Sequence, residues 1–175
     1  WEYNLVEKTR PGEYFPVEET EDGTFFFNSK DLCMIHAIPE LIKSGLDSLK
    51  IEGRMKTIYY VASIVRAYRK AIDTFYADPE HYVFNPEWFE ELQKVSHREF
   101  TTGFYEHKPT HEDQLYTTSS YVRTHDFIGV VKAYDDATGM ATIEQRNNFK
   151  VGDAIEIIGP AYFHASHTVE AIFDE

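Results

Sequence analysis

The spacing of apolar residues predicts a long helix from about Thr57 to Tyr76. Within it the apolar positions recur every three or four residues, so they fall on one face of a helix. These positions are Ile58, Val61, Val65, Tyr68, Ile72 and Phe75. Shorter helices are predicted at 39–44, which Gly45 ends, and at Glu87–Val95, which Pro86 opens.

Two short runs with β character precede the long helix. Thr24–Phe27 is rich in β-favouring residues, and Ser48–Glu52 alternates, with Leu49 and Ile51 on one side. The order strand, helix, strand, helix predicts parallel strands and an α/β class. Because two parallel strands do not form a stable sheet alone, further strands are expected from upstream sequence.

Beyond a polar stretch at His107–Asp113 the pattern predicts strands only. Short β-rich segments recur about every ten residues and are separated by turn signals, as in a small antiparallel barrel or sandwich. They are Phe127–Tyr134, Met140–Arg146, Ala154–Ile158 and Val169–Phe173. The sequence therefore predicts an α/β unit at residues 1–106 and an all-β unit at residues 107–175.

Composition and charge exclude several classes of protein. The 175 residues carry a net charge of −13, from 17 basic and 30 acidic side chains, so DNA is not expected as a partner. No run approaches the roughly 20 apolar residues that a membrane span needs, so no membrane partner is expected either. The single cysteine excludes an intrachain disulfide and favours the reducing cytoplasm.

One segment departs from the acidic balance of the chain. Residues 43–72 hold seven Lys and Arg side chains against Asp47 and Glu52, a local charge of +5. Two interpretations stay open, a solvated helix face and a focused anion site.

Neither the histidines nor the standard motifs indicate a hydrolytic centre. His107 and His111 have an H-x3-H spacing, but Pro109 lies between them and no cysteine is near, so zinc is not expected. No Gly-x-Ser-x-Gly, His-Glu-x-x-His or P-loop pattern occurs.

Five phrases carry a resemblance to a known family. They are YNLVEKTRPGEYFPV at 3–17, NSKDLCMI at 28–35, SLKIEGRMK at 48–56, SHREFTTGFY at 96–105 and IEQRNNFKVGDAIEIIGP at 143–160. Over essentially its whole length the chain resembles the C-terminal half of the collagenase-like peptidase family U-32. It is most similar to the bacterial branch linked to tRNA hydroxylation at the wobble uridine.

The resemblance implies an architecture and a set of activities. Residues 1–106 would be the last two βα units of a (βα)8-like catalytic barrel with an extra helix, and residues 107–175 a small antiparallel β-barrel domain. Wobble-uridine hydroxylation with tRNA as partner is the preferred expectation. A collagenase-like peptidase with a peptide substrate and a non-catalytic interaction module are the alternatives. The cysteine-bearing signature of the family lies upstream, so this chain alone is expected to be inactive.

Lys50, Glu52 and Arg54 form the first candidate site. Alternation sends Lys50 and Glu52 to the face opposite Leu49 and Ile51. In the implied barrel these charged side chains would project inward near the carboxyl end of the strand, where such barrels build active sites. Three interpretations stay open: a site with Glu52 as acid–base group and Arg54 as anion clamp, an exposed strand face, or a structural ion pair.

Cys33 is the second candidate. A lone cysteine on the apolar side of a helical turn is usually a small core residue. The resemblance implies another role, because some relatives hold an iron–sulfur cluster on four cysteines, the last of them in a phrase like KDLC at 30–33. Such clusters typically need four thiolates. We therefore expect no cluster in this chain. Two interpretations of Cys33 stay open, a small core residue and a ligand of an iron–sulfur cluster in the full-length protein.

Overall fold

The computed structural model describes residues 2–9, 11–12, 14–21, 23–26, 28–108, 113–115, 122 and 124–173. Within these ranges the chain forms three α-helices and eleven short strands. The strands pair into one three-stranded and four two-stranded sheets, and the described residues close no barrel. The predicted mixture of helix and strand is confirmed, whereas both barrel closures stay predictions. His111 lies outside the described residues.

An antiparallel sheet of three strands comes first in the chain. Its order is β1 (Glu2–Val6), β2 (Tyr14–Thr20) and β3 (Gly23–Phe26). The predicted strand at Thr24–Phe27 is thus present over its described residues, with Phe27 outside them, but it pairs with β2 in an antiparallel hairpin. Only two residues separate β2 from β3, and so short a connection joins antiparallel strands.

Three helices form the centre of the structure, and local sequence explains where each begins. A 3₁₀ turn at Ile35–Ala37 leads into α1 (Ile38–Lys43). Helix α2 (Ile58–Ala77) begins after Thr57, whose side chain accepts a hydrogen bond from the Tyr60 N–H. Helix α3 (Pro86–Lys94) begins after Asn85, which accepts from the Glu87 N–H. The predicted helices are confirmed to within two residues at each end.

The core lies where these helices meet, and the buried face of α2 overlaps the predicted one only in part, because Phe75 is buried and Tyr68 and Ile72 pack against the core. Ile64, Ala67, Ala71 and Phe75 are buried, whereas Ile58, Val61 and Val65 are 59%, 40% and 45% exposed. Small alanines let α2 approach its neighbours closely, and bulky residues from the neighbouring elements fill the space. These include Ile35, Ile38, Trp88, Leu92 and Val95. Ile58, Val61 and Val65 consequently form a strip that the described residues leave exposed.

The predicted strand Ser48–Glu52 is absent. The backbone of residues 48–53 pairs with no strand in the described part of the chain. A strand exists only where a neighbour exchanges backbone hydrogen bonds with it, and an alternating pattern does not supply that neighbour. The alternation itself is present, because Leu49 and Ile51 pack against the core while Lys50 and Glu52 are exposed.

One parallel strand pair is found where the sequence predicted none. Strand β4 (Asn28–Ser29) is followed directly by β5 (Asp31–Leu32), and β6 (Phe100–Thr101) follows α3. Strands β5 and β6 run parallel, with the Cys33 N–H donating to the Thr101 carbonyl at 2.9 Å. Strand β7 (Gln114–Leu115) pairs antiparallel with β4. His97 and Val122 form an isolated antiparallel bridge.

Two antiparallel hairpins make up the rest of the described chain. The first joins β8 (Gly129–Asp135) to β9 (Met140–Gln145), and the second joins β10 (Ala154–Ile158) to β11 (His164–Thr168). Three of the four strands match the prediction. The fourth, predicted at Val169–Phe173, lies at His164–Thr168 instead, because a short 3₁₀ turn at 160–162 returns the chain at once.

None of the described helices combines the length and the apolar character that crossing a bilayer requires.

Candidate functional site

The predicted trio Lys50, Glu52 and Arg54 lies on the exposed side of the segment between α1 and α2. The Glu52 carboxylate accepts a hydrogen bond from the Arg54 N–H at 2.9 Å, which folds the segment into a turn at Gly53. Among the ion pairs of described residues, none joins Glu52 to Lys50 or to the Arg54 guanidinium. The side chains of Lys50 and Arg54 are therefore both exposed, on either side of the Glu52 carboxylate in sequence. The chemical roles of the trio stay a prediction.

An apolar groove lies on the other side of the same segment. It has a volume of about 460 Å³ and runs between α1, residues 46–51 and α2, with Leu49, Ile51, Tyr68 and Ile72 in its walls. Arg69 is a basic residue in the wall of this groove. Its guanidinium pairs with Asp73 at 2.6 Å.

The positive charge of residues 43–72 does not gather at one site. Arg66 is buried beside Glu91, Arg69 pairs with Asp73, and Lys56 donates to the Ser96 carbonyl. Of the two interpretations, a single focused anion site is therefore not supported by the placement of these three cations.

Cys33 is buried immediately after β5, with 6% of its surface exposed. Its sulfur lies 3.9 Å from the Tyr68 hydroxyl, which also accepts a hydrogen bond from the Met34 N–H at 2.9 Å. Burial raises the pKa of the Cys33 thiol and that of the Tyr68 hydroxyl. The thiol is thus protonated at neutral pH, and a metal ion that bound it would first have to displace the proton.

An iron–sulfur cluster does not fit the residues of this chain alone. The sequence supplies a single thiol, and that thiol packs among Tyr68 and aliphatic core residues. Four thiolates are the usual ligand set for such a cluster. Cys33 can offer one ligand only, so its role as a ligand in a longer protein stays a prediction.

A hydrogen-bonded loop lies at the carboxyl end of the parallel pair β5–β6. The Thr101 hydroxyl donates to one carboxylate oxygen of Asp113 at 2.9 Å, and His107 Nε2 lies 3.1 Å from the other. The Gly103 N–H donates back to the Thr101 hydroxyl at 3.1 Å. Gly103 has a φ of +60°, a conformation that favours glycine. One carboxylate therefore holds both ends of residues 102–108.

The chemistry of this loop is not that of a hydrolytic triad. In such a triad the imidazole accepts the proton of the nucleophilic hydroxyl, and the carboxylate orients the imidazole. Here the carboxylate of Asp113 stands between Thr101 and His107, so the hydroxyl proton points to an acceptor that holds it. The geometry fixes the loop and does not activate Thr101.

A network of charges joins the helices to the second hairpin. Lys94 Nζ lies 2.7 Å from a carboxylate oxygen of Glu91 and 2.7 Å from one of Glu156. Arg66 pairs with Glu91 at 3.4 Å, and its guanidinium lies 4.5 Å from the centre of the Tyr162 ring. We call these five residues the junction cluster.

The charges of the junction cluster neutralise one another without a metal ion. Burial alone would lower the pKa of Lys94, but hydrogen bonds to Glu156 and Glu91 raise it above its ordinary value. Burial alone would raise the pKa of Glu156, but the hydrogen bond and charge of Lys94 hold it below the usual range. Glu91, Glu156 and His164 have ligand atoms within 4.8 Å of one another, as a metal site would. The ammonium of Lys94 already provides the cation between both carboxylates.

The turn that carries Tyr162 has an unusual backbone. Ala161 and Tyr162 both have positive φ, at 53° and 63°. This conformation costs non-glycine residues roughly 1–3 kcal/mol each. It is maintained here because the Tyr162 ring stacks on Arg66, and the Arg66 guanidinium donates to the Phe163 carbonyl at 3.1 Å.

The sequence did not reveal the loop or the junction cluster. His107–Asp113 has the composition of a polar connection, and no local pattern relates it to its hydrogen-bond partner Thr101. Lys94 and Glu156 stand 62 positions apart, so no spacing rule relates them.

Comparison with known proteins finds matching family models and several similar named proteins. The model of Peptidase family U32 matches residues 1–115, and the model of the Peptidase family U32 C-terminal domain matches residues 123–175. A Bacillus subtilis protein named tRNA hydroxylation protein P1 is 45% identical over 175 residues, all of this chain and 41% of the relative. The Escherichia coli tRNA hydroxylation protein P is 38% identical over 160 residues, 90% of this chain and 34% of the relative.

A relative with a different name is more distant. A Porphyromonas gingivalis protein named Collagenase is 29% identical over 140 residues, 79% of this chain and 39% of the relative. The chain thus spans between about a third and two fifths of the length of these relatives. No solved structure matches the chain.

Proposed function

The chain belongs to peptidase family U32, and on that premise we propose that it is the C-terminal part of a tRNA-modification protein that hydroxylates the wobble uridine. The observation that carries the proposal is the identity of 45% and 38% to two tRNA hydroxylation proteins over 100% and 90% of the chain. The partner is then tRNA, and the expected location is the cytoplasm, where tRNA is modified.

The experiment that tests this function is a genetic one. The gene for this chain is deleted from its host, and the nucleosides of purified tRNA are analysed by mass spectrometry. Loss of hydroxylated wobble uridine in the deletion strain, with recovery when the gene is returned, supports the proposal. Unchanged hydroxylation in a host without a second gene of the same family would disprove it.

Within this function, Glu52 and Arg54 are the residues we propose for chemistry. Their support is that both side chains are exposed, and that the hydrogen bond from the Arg54 N–H orients the Glu52 carboxylate. A guanidinium binds a phosphate or carboxylate through two parallel hydrogen bonds, which a lysine does not reproduce. Lys50, exposed on the same segment, would add a second positive charge for an anionic substrate.

Two structural units are part of the proposal. The family models divide the chain between residues 115 and 123, which supports a boundary close to the one expected after residue 106. Pairing of β7 with β4 favours a position after Leu115, because it ties Gln114 and Leu115 to the first unit. The junction cluster would then hold the second unit against α2 and α3.

Peptide hydrolysis is the second candidate function. Its support is the 29% identity to the protein named Collagenase and the name of the family. Against it stands the arrangement of Thr101, Asp113 and His107, in which the Thr101 hydroxyl donates to the Asp113 carboxylate and not to the His107 imidazole. Cleavage of gelatin by the purified longer protein, abolished by Glu52→Gln, would favour the peptidase. Gelatin that stays intact under conditions that support tRNA hydroxylation would exclude it.

A further inference from the structure

The loop at residues 102–108 presents two aromatic rings to solvent. Phe104 is 85% exposed and Tyr105 is 63% exposed. They are adjacent in sequence and stand at the tip of a loop whose two ends are held by Asp113. Exposed single apolar residues are common, but two neighbouring large rings on a fixed loop are not explained by packing within the described part of the chain.

The order of this loop comes from its polar contacts and not from its rings. Besides the bonds at Thr101, Gly103 and His107, the Tyr105 N–H donates to the Thr102 carbonyl at 3.3 Å. Fixing the backbone this way means that a partner does not have to order it on binding. Preorganisation of that kind raises affinity without new contacts.

The position and charge of the loop indicate what it binds. It stands at the carboxyl end of the parallel pair β5–β6, the edge at which α/β sheets generally place ligands. Residues 102–108 contain one Glu, one His and one Lys, so the loop lacks the strong negative charge of the whole chain. Lys108, exposed beside the rings, is suited to a phosphate.

We propose that residues 102–108 form an RNA contact, with Phe104 and Tyr105 stacking on unpaired nucleotides of the tRNA. Every base has a flat face, so aromatic side chains bind single-stranded RNA with little dependence on sequence. The inference rests on the proposed function for the identity of the RNA. The contact itself is a property of this chain and can be measured without the hydroxylation reaction.

The test measures binding of fluorescently labelled RNA to the 175-residue chain by anisotropy. The two probes are a tRNA anticodon stem-loop and a blunt duplex of equal length without unpaired nucleotides. The chain should bind the stem-loop more tightly than the duplex. Phe104→Ala and Tyr105→Ala should each weaken stem-loop binding at least about fivefold, which corresponds to about 1 kcal/mol.

Two further variants separate stacking from other effects. Tyr76→Ala removes a ring that is 64% exposed on α2 and is not part of the loop, and should leave affinity unchanged. Phe104→Leu keeps an apolar side chain but removes the flat ring, and should weaken binding as the alanine does. Circular dichroism and thermal unfolding confirm that each variant is folded.

Several outcomes would overturn the inference. They are a wild-type chain that does not bind the stem-loop, alanine variants that bind it as the wild type does, and a leucine variant with full affinity. The last would indicate an apolar contact with a protein in place of base stacking. Failure of the proposed function gives a different result. Hydroxylation would persist in the deletion strain, but Phe104→Ala would still weaken RNA binding.

Discussion

Replacing Lys94 should weaken the contact between the second hairpin and α3. The distances and exposure of the Lys94 and Glu156 side chains set the size of the expected loss in free energy. At an effective dielectric constant of 20, two unit charges about 4 Å apart attract by about 4 kcal/mol. The Lys94 and Glu156 side chains are 20% and 28% exposed, so solvent and desolvation offset much of that attraction. We expect a coupling free energy of about 1–2 kcal/mol between the two side chains.

A double-mutant cycle measures this coupling. Lys94→Met keeps the apolar stem of the side chain, Glu156→Gln keeps its shape, and the double variant completes the cycle. The free energy of unfolding is obtained from urea denaturation of the 175-residue chain. The Arg69–Asp73 pair is the control, because its 2.6 Å contact is equally short but its side chains are 56% and 61% exposed. Its coupling should be no more than about 0.5 kcal/mol.

The coupling should also depend on pH with a definite sign. The lowered pKa of Glu156 means that its stabilisation is present above the unfolded-state pKa of glutamate and is lost as pH falls through the folded value. The raised pKa of Lys94 means that its stabilisation is present below the unfolded-state pKa of lysine and is lost as pH rises through the folded value. A coupling no larger than that of Arg69–Asp73 at pH 7, or one that grows below pH 4, would refute the reasoning.

Three other predictions follow from the structure and sequence. In the longer protein, Arg54→Lys and Glu52→Gln should each lower activity at least about tenfold, or about 1.4 kcal/mol in the barrier, with a smaller change in unfolding free energy; two fully active variants would show that the site is elsewhere. Elemental analysis should find no stoichiometric iron in the 175-residue chain, and Cys33→Ser should lower any iron content of the longer protein; unchanged iron would leave Cys33 as a core residue. Limited proteolysis should cleave between residues 106 and 123 and release a stable C-terminal piece, whereas a fragment protected across that stretch would show that the junction cluster unites both units.

The helices could be predicted from the sequence because their signals are local. Thr57 and Asn85 act as caps through hydrogen bonds that reach only two or three residues along the chain. The buried face of α2 could not be predicted in the same way. An amphipathic pattern does not reveal that Ala67 and Ala71 allow a closer approach than Val61 and Val65 do.

The strands show the same limit more clearly. Thr24–Phe27 and Ser48–Glu52 have suitable composition, but direction and pairing depend on partners distant in sequence. Gly23–Phe26 pairs with β2, whereas residues 48–53 pair with no strand among the described residues. The burial of Cys33 can be predicted from its apolar neighbours in sequence. The contacts of Asp113 with Thr101 and His107 cannot, because they depend on tertiary structure.

The exposed strip of Ile58, Val61 and Val65 on α2 has a consequence for handling the chain in the laboratory. At neutral pH the net charge of −13 makes copies of the chain repel one another and so opposes contact between their strips. Repulsion of that kind decays over about 8 Å at physiological ionic strength and over about 3 Å in 1 M salt. Near pH 5.0, the isoelectric point of the sequence, it vanishes altogether. Purification by acid elution or salting-out would therefore bring apolar strips of neighbouring copies into contact, while mildly alkaline, low-salt buffers would keep the chain dispersed.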